Sequence, residues 1–318
     1  MMRRKLVQRL PIFLSLILSL LPLQAQEQTS TKTTPVRMTV TVRALQNNKR
    51  MPDLNREDVI VKQGKERLQV TDWTPVGGDK APLDLFILID DAAHPSLGLQ
   101  FDDLHSFIDS LPANTSVGVG YMRNGTVQVA QNLSNDHDRA ARAIRLPLAS
   151  GGAFGSPYLS VIDLMKRWPE NSNRREIVMI TDGIDRFRSE PRHRGIRSIS
   201  PDVDSASVVA QRTGTMIHTI FTRGVGLRGR DFWEMTNGQN GMAKLSDETG
   251  GESFFLGTHN AVSFRPYLES LQRSLGNRYL LEFNAVPGNK AGLKNVKLTT
   301  EVAGVELDSA DSVWVRAR

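Results

Sequence analysis

Between Leu83 and Leu256 the chain alternates short, almost wholly apolar runs with longer segments of helical character, and this alternation restricts the fold more than any other feature. The runs are LDLFILI (83–89), SVGVGYM (116–122), EIVMIT (176–181), MIHTIFT (216–222) and ESFFL (252–256). A strand that is apolar on both faces has to be covered on both faces, which is the situation of parallel strands flanked by helices. Helices are expected near 97–110, 136–144, 158–167, 203–212, 237–249 and 260–275. The run TVQVAQNL (126–133) differs, because Asn124-Gly125 joins it to the strand before. Asn-Gly suits a two-residue hairpin turn, so an antiparallel edge strand is predicted there. The fold class that follows is α/β, a doubly wound and mostly parallel sheet.

On both sides of this block the pattern is β. RMTVTVRAL (37–45) alternates with period two, and DVIVKQG followed by ERLQVTDW reads as a short hairpin. After Asn277 come RYLLEF, LKNVKLTTEV and DSVWVRAR. Neither segment buries a sheet alone, so the two are expected to form one small sandwich-like module with the α/β block inserted between them. Trp73, Trp233 and Trp314 are read as packing anchors, and Trp168 before Pro169 as a helix end.

The first 25 residues have the pattern of a secretory signal: Arg3, Arg4, Lys5 and Arg9 precede the apolar run Ile12–Leu23, and a small Ala25 follows. A polar leader, 26–35, comes next. The expected organisation is therefore signal 1–25, leader 26–35, β segment 36–79, α/β domain 80–276 and β segment 277–318. Location in the periplasm or the medium follows, with no membrane-spanning helix in the cleaved chain. Loss of those four positive residues takes the formal net charge from +6 to +2, which removes most of the case for nucleic acid. The chain has no Cys, so disulfides and thiol chemistry are excluded.

In an open parallel sheet, ligands bind beyond the carboxyl ends of the strands. Three loops should meet there: the one after Ile89, the Gly-rich SGGAFGSPY (150–158) and TDGIDRF (181–187). No G-x-S-x-G elbow, H-E-x-x-H or P-loop is present, and the neighbouring Asp90 and Asp91 at a strand end point to opposite faces instead of forming a shared-proton dyad. An enzyme is not expected. GVGLRG (224–229) matches G-x-G-x-x-G, but it comes late in the chain and RDFWEM after it has no apolar helical repeat, so it is read as a loop.

Strand–Asp, edge hairpin, Gly-Gly loop before a helix and then VMITDG together resemble the von Willebrand factor A (VWFA) domain. The hairpin with Asp53-Leu54 and Asp58, and the stretch GQNGMAKLSDETGGESFF (238–255), make the chain look most like the VWFA-related family described from acidobacteria. The resemblance implies a metal-ion-dependent adhesion site, with Asp90 on the first Asp of an Asp-x-Ser-x-Ser loop and Asp182 on the later Asp. Ala92 and His94 stand where that loop has Ser, and Ala153 where the Gly-rich loop would supply Thr. Three oxygen donors that a hard cation would use are thereby missing.

Three readings stay open at this point. One is weak Mg²⁺ or Ca²⁺ binding by Asp90 and Asp182; a second is a rearranged site using Asp91, His94, Ser96, Ser156 or Asp185, with Zn²⁺ or Mn²⁺ favoured by the imidazole. In the third there is no metal, and the acids cap helices or satisfy loop amides. The expected function is recognition of a protein or an anionic surface ligand at the strand-end face. The residues expected to line it are Asp90, Asp91, His94, Ser156, Asp182 and Asp185, with Arg186 and Arg188 on a basic rim. A metal-free structural protein of the cell envelope and a metal-dependent hydrolase are the alternatives.

Overall fold

A computed structural model describes residues 33–45, 52–76, 81–148, 155–171, 173–187, 199–225, 232–255, 257 and 259–317. The expected signal, most of the leader, Ala153, Arg188 and the latter part of GVGLRG lie outside these residues.

The chain opens with β1 (Thr34–Ala44), β2 (Val59–Gln63), β3 (Glu66–Leu68) and β4 (Val70–Pro75). The α/β block follows as β5 (Leu83–Asp90), α1 (Phe101–Asp109), β6 (Thr115–Arg123), β7 (Thr126–Ser134), α2 (His137–Arg142), α3 (Pro157–Lys166) and β8 (Arg174–Thr181). It continues with α4 (Pro201–Thr213), β9 (Thr215–Phe221), α5 (Phe232–Thr249), β10 (Ser253–Phe254) and α6 (Arg265–Gly276). The chain returns to β as β11 (Arg278–Ala285), β12 (Gly292–Asn295), β13 (Lys297–Thr300), β14 (Val305–Ser309) and β15 (Ser312–Val315).

Six strands form the central sheet in the order β10-β9-β8-β5-β6-β7. Every neighbouring pair is parallel except β6 with β7. Counted from β5, the parallel part runs outward in both directions, the doubly wound arrangement whose order reverses beside its first strand. β5 occupies this central place because all eight of its residues are buried. Leu85, Ile87 and Ile89 enter one apolar cluster with Leu104 and Phe107 of α1 and Leu268 and Leu271 of α6. Phe86 and Leu88 enter a second on the other face, with Val161 and Leu164 of α3, Val203 of α4 and Met242 of α5. Each such fully buried side chain contributes about 1.5–3 kcal/mol. At the β6–β7 turn Asn124 and Gly125 have φ of 53° and 71°, the two positive values that a primed hairpin turn requires.

The terminal segments meet as expected. β1 pairs with β11 and β14, β11 with β4, and β2 with β13 and β3, all antiparallel. Their inner faces share one cluster that includes Val40, Val61, Trp73, Leu281, Phe283 and Val313. Trp73 stacks on Tyr279 with ring centroids 4.4 Å apart and donates its indole N–H to the Leu54 carbonyl at 3.0 Å. Leu54 is therefore the buried part of the Asp53-Leu54 element, and Asp58 closes the turn after it by accepting the Asn55 amide at 2.9 Å.

Three expectations need correction. The leader does not extend to residue 35, because Thr34 and Pro35 already pair with Ala285 and Asn284. Helix α5 starts at Phe232 instead of Asn237. Its first turn presents Phe232 and Trp233 outward, 62% and 67% exposed, so the apolar repeat that marks a buried helix face is missing there, and Trp233 is not a packing anchor.

Candidate functional site

β5, β8 and β9 end side by side, and their loops are fastened to one another by backbone bonds. The Ala93 amide turns back to the Asp90 carbonyl at 2.9 Å, which ends the strand. His94 then donates its amide to the Arg223 carbonyl at 2.8 Å, and Val225 donates to Ala92 at 2.8 Å, joining the loop after β5 to the one after β9. Gly183, at φ 69°, turns the chain after β8 so closely against α5 that an added Cβ would lie 2.4 Å from the Gly238 carbonyl oxygen.

These turns bring Asp90 and Asp182 to one place. Asp90 is buried and accepts the Ala92 amide and the Thr181 hydroxyl, both at 2.8 Å. Asp182 is buried as well and accepts the Ile184 amide at 3.0 Å. The guanidinium of Arg186 lies against both. Its Nη2 is 2.8 Å from Asp182 Oδ2 and its Nη1 3.9 Å from Asp90 Oδ2. The Arg186 side chain is only 15% exposed, so this residue, expected on a solvated rim, is turned inward. Its amide donates to the Gly155 carbonyl at 3.0 Å, which ties in the chain just before α3.

Burial, and after it the neighbouring Asp182 charge, push the Asp90 carboxyl above its usual range, while Arg186 pulls it back. Burial opposes the Arg186 charge too, but Asp182 and Asp90 outweigh it and keep the guanidinium protonated. Beside Asp90, Ser156 and Arg186 a crevice of about 10 Å³ remains, room for roughly one water.

The other expected residues go elsewhere. Asp91 points away from Asp90: its carboxylate pairs with Arg145 at 2.8 Å and accepts the Leu148 amide at 2.8 Å. His94 is exposed, and its Nδ1 accepts the Ser96 amide at 3.1 Å, capping the turn over 95–100. Ser156 caps α3, its hydroxyl accepting the Leu159 amide at 3.4 Å. Asp185 accepts the Phe187 amide at 3.0 Å and the Ser200 hydroxyl at 2.5 Å, spanning the two sides of the 188–198 segment.

An octahedral hard cation does not fit these donors. Asp90 and Asp182 are committed to amides, a hydroxyl and a guanidinium, Ala92 offers a methyl, and the His94 Nδ1 is engaged, so the near-octahedral oxygen set that Mg²⁺ demands is not supplied by these side chains. Among the described residues no group of three or more His, Asp or Glu is placed to hold a metal ion.

One feature of this face was not anticipated from the sequence. Of the ten large apolar side chains exposed among the described residues, seven sit on it, five on its loops and two in the first turn of α5: Leu99, Leu146, Leu148, Phe187, Phe232, Trp233 and Val262. Phe232 and Trp233 pack edge to face with centroids 5.9 Å apart. The Leu146 side chain covers Gly98, and Gln100 reaches the Val262 carbonyl at 3.3 Å, so three loops share one border.

Strand order and the antiparallel edge define a doubly wound, VWA/Rossmann-like α/β fold carrying a small β module made from its two ends. No family model matches the chain, and no curated protein matches it. Among solved structures it is similar to the conserved hypothetical protein BatB from Bacteroides thetaiotaomicron, at 12% identity over 61% of this chain and 97% of that one, with a TM-score of 0.44. It is also similar to an aerotolerance-related membrane protein from Bacteroides fragilis, at 15% identity over 61% and 98%, TM-score 0.42. A third is the SpRpn10 VWA domain, at 13% identity over 62% and 97%, TM-score 0.40.

Proposed function

We propose that the protein is an exported binding module that recognises another protein across the strand-end face, and that it has no catalytic role. The observation that carries this reading is the gathering of seven exposed apolar side chains on that face, from the loops around it and the first turn of α5, with the loops after β5 and β9 fastened to one another and the 143–148 stretch held by Asp91. Large apolar and aromatic groups left in water on rigid supports are characteristic of interaction surfaces, and Trp and Phe are among the side chains that most often dominate binding. The acids favour support over chemistry: Asp90 has partners at both oxygens, and Asp182 faces an amide and a guanidinium.

Export rests on the amino-terminal signal pattern, and no helix of the described residues is long and apolar enough to cross a membrane. The closer kinship to the acidobacterial VWFA-related family rests on the Asp53-Leu54 element and on 238–255, and is part of the same proposal. An anionic surface ligand is the weaker candidate, since the best-placed cation of the rim, Arg186, is engaged internally.

Photo-crosslinking in the native cell tests the proposal. A benzophenone amino acid at position 99, 187 or 233 should give a discrete crosslinked protein, whereas one at Lys62 or Glu306 of the β module should not. Crosslinks from the β-module positions alone would favour the envelope-assembly reading and overturn this one.

A further inference from the structure

We infer that Arg186 is a built-in cation: its guanidinium takes the place between Asp90 and Asp182 that a divalent ion would need, so the strand-end face is assembled without metal. The statement about the acid pair stands on geometry alone, and only its consequence for recognition rests on the function proposed above.

Two carboxylates, 5% and 2% exposed, face one another at Asp90 and Asp182. Buried charge of one sign needs a counter-charge close by, because burial removes the water that would otherwise stabilise it. In this fold the counter-charge can be an ion drawn from solution or a group from the chain. A guanidinium suits the second solution: it is planar, stays charged, and presents several N–H donors in a fixed fork, so two of its nitrogens can face two carboxylates together. Arg186 does this with Nη2 toward Asp182 and Nη1 toward Asp90.

The backbone is arranged to deliver that side chain. Arg186 follows Asp182 by four residues but outside a helix; the positive φ of Gly183 folds the chain back, and the bond from the Arg186 amide to Gly155 fixes the base of the side chain. One residue thereby links the loops after β5 and β8 and the chain leading into α3. Its single positive charge balances one of the two negative charges. Hydrogen bonds from Ala92, Thr181 and Ile184 stabilise the remaining one. The positions where an ion would require hydroxyls hold Ala92 and a capping His94. These substitutions and the inward arginine form a consistent set, since each removes a reason for a cation to enter.

The test is thermal melting of the purified mature chain with EDTA and with MgCl₂, CaCl₂ or MnCl₂ up to 10 mM. Wild type is expected to melt within about 1 °C of its EDTA value in every salt, because an ion that binds the folded state raises its melting temperature. A variant carrying Arg186→Ser, Ala92→Ser and His94→Ser restores two of the three missing oxygens and removes the internal charge; it should show a saturable rise of about 4 °C or more with at least one cation. Arg186→Lys keeps the charge and should fold and stay cation-insensitive, which preserves the test if the triple variant does not fold. A rise in wild type that Asp182→Asn abolishes would overturn the inference. Crosslinking from position 233 separates the two readings. Absent crosslinks with cation-insensitive melting would sink only the proposed function, while crosslinks that require added cation would sink the built-in cation.

Discussion

Asp91, one residue beyond the strand-end acid Asp90, turns to the other side and pairs with Arg145 at 2.8 Å, with that guanidinium lying 3.7 Å above the Tyr121 ring. The two neighbouring carboxylates thus do different work: Asp90 belongs to the charge cluster with Arg186, and Asp91 anchors the chain over 143–148 that carries Leu146 and Leu148. Asp91→Ala is expected to destabilise the fold by about 2 kcal/mol, the scale of a lost charge-assisted hydrogen bond. Arg145 is partly exposed, so solvent screening keeps the figure modest. Urea denaturation measures it, and hydrogen exchange at Leu148 should rise in the variant.

Acid should weaken the protein through His218. This buried imidazole lies between Glu176 and Arg278, its Nδ1 accepting the Glu252 amide at 3.0 Å, and burial lowers its pKa to about 4 from an ordinary 6.5. The unfolded chain then binds a proton that the folded one refuses, so this contribution is complete above about pH 6.5 and is lost as pH falls toward 4. The loss is about 3 kcal/mol over the window. Asp90 acts in the opposite sense, since its raised folded pKa favours the folded state as the carboxyl protonates, which flattens the lower end. Denaturation at a series of pH values from 7 to 4 should show the slope, reduced in His218→Gln.

Gly183→Ala is expected to cost about 3 kcal/mol, from the left-handed backbone and the collision with the Gly238 carbonyl together. Gly238→Ala meets the same contact from the other side, with its Cβ 2.4 Å from the Asp182 carbonyl oxygen. Both variants should melt well below wild type; an unchanged melting temperature in either would mean that α5 does not press on the Asp182 loop in this way.

Phe232→Ser and Trp233→Ser should leave stability within about 0.5 kcal/mol, since exposed side chains carry little folding energy. Removing a buried aromatic side chain would instead cost about 3–5 kcal/mol. Urea denaturation distinguishes the two, and in the proposed function the same substitutions should weaken crosslinking at position 187.

The sheet was legible because burial on both faces leaves its mark on every residue of a strand: LDLFILI and EIVMIT admit few other readings, and Asn124-Gly125 marked the antiparallel edge. The joining of the terminal β segments was legible too, since neither could form a core alone. The direction of Arg186 was not. Within the basic run RFRSEPRHRGIRS it reads as solvated charge, and only the turn at Gly183 and the bond to Gly155 bring it inside. The apolar border was hidden for a related reason: Trp233 reads as a packing anchor in sequence, and the exposure of Trp233 and Leu99 depends on where helix α5 and the 95–100 turn begin.

Metal-free assembly of the Asp90–Asp182 pair is tested most directly by a crystal structure of the mature chain grown in 10 mM MnCl₂ and measured at a wavelength where manganese scatters anomalously. It predicts no anomalous peak between Asp90 and Asp182, with the Arg186 guanidinium in hydrogen-bond contact with Asp182. A manganese peak bridging the two carboxylates, with Arg186 swung out to solvent, would contradict it.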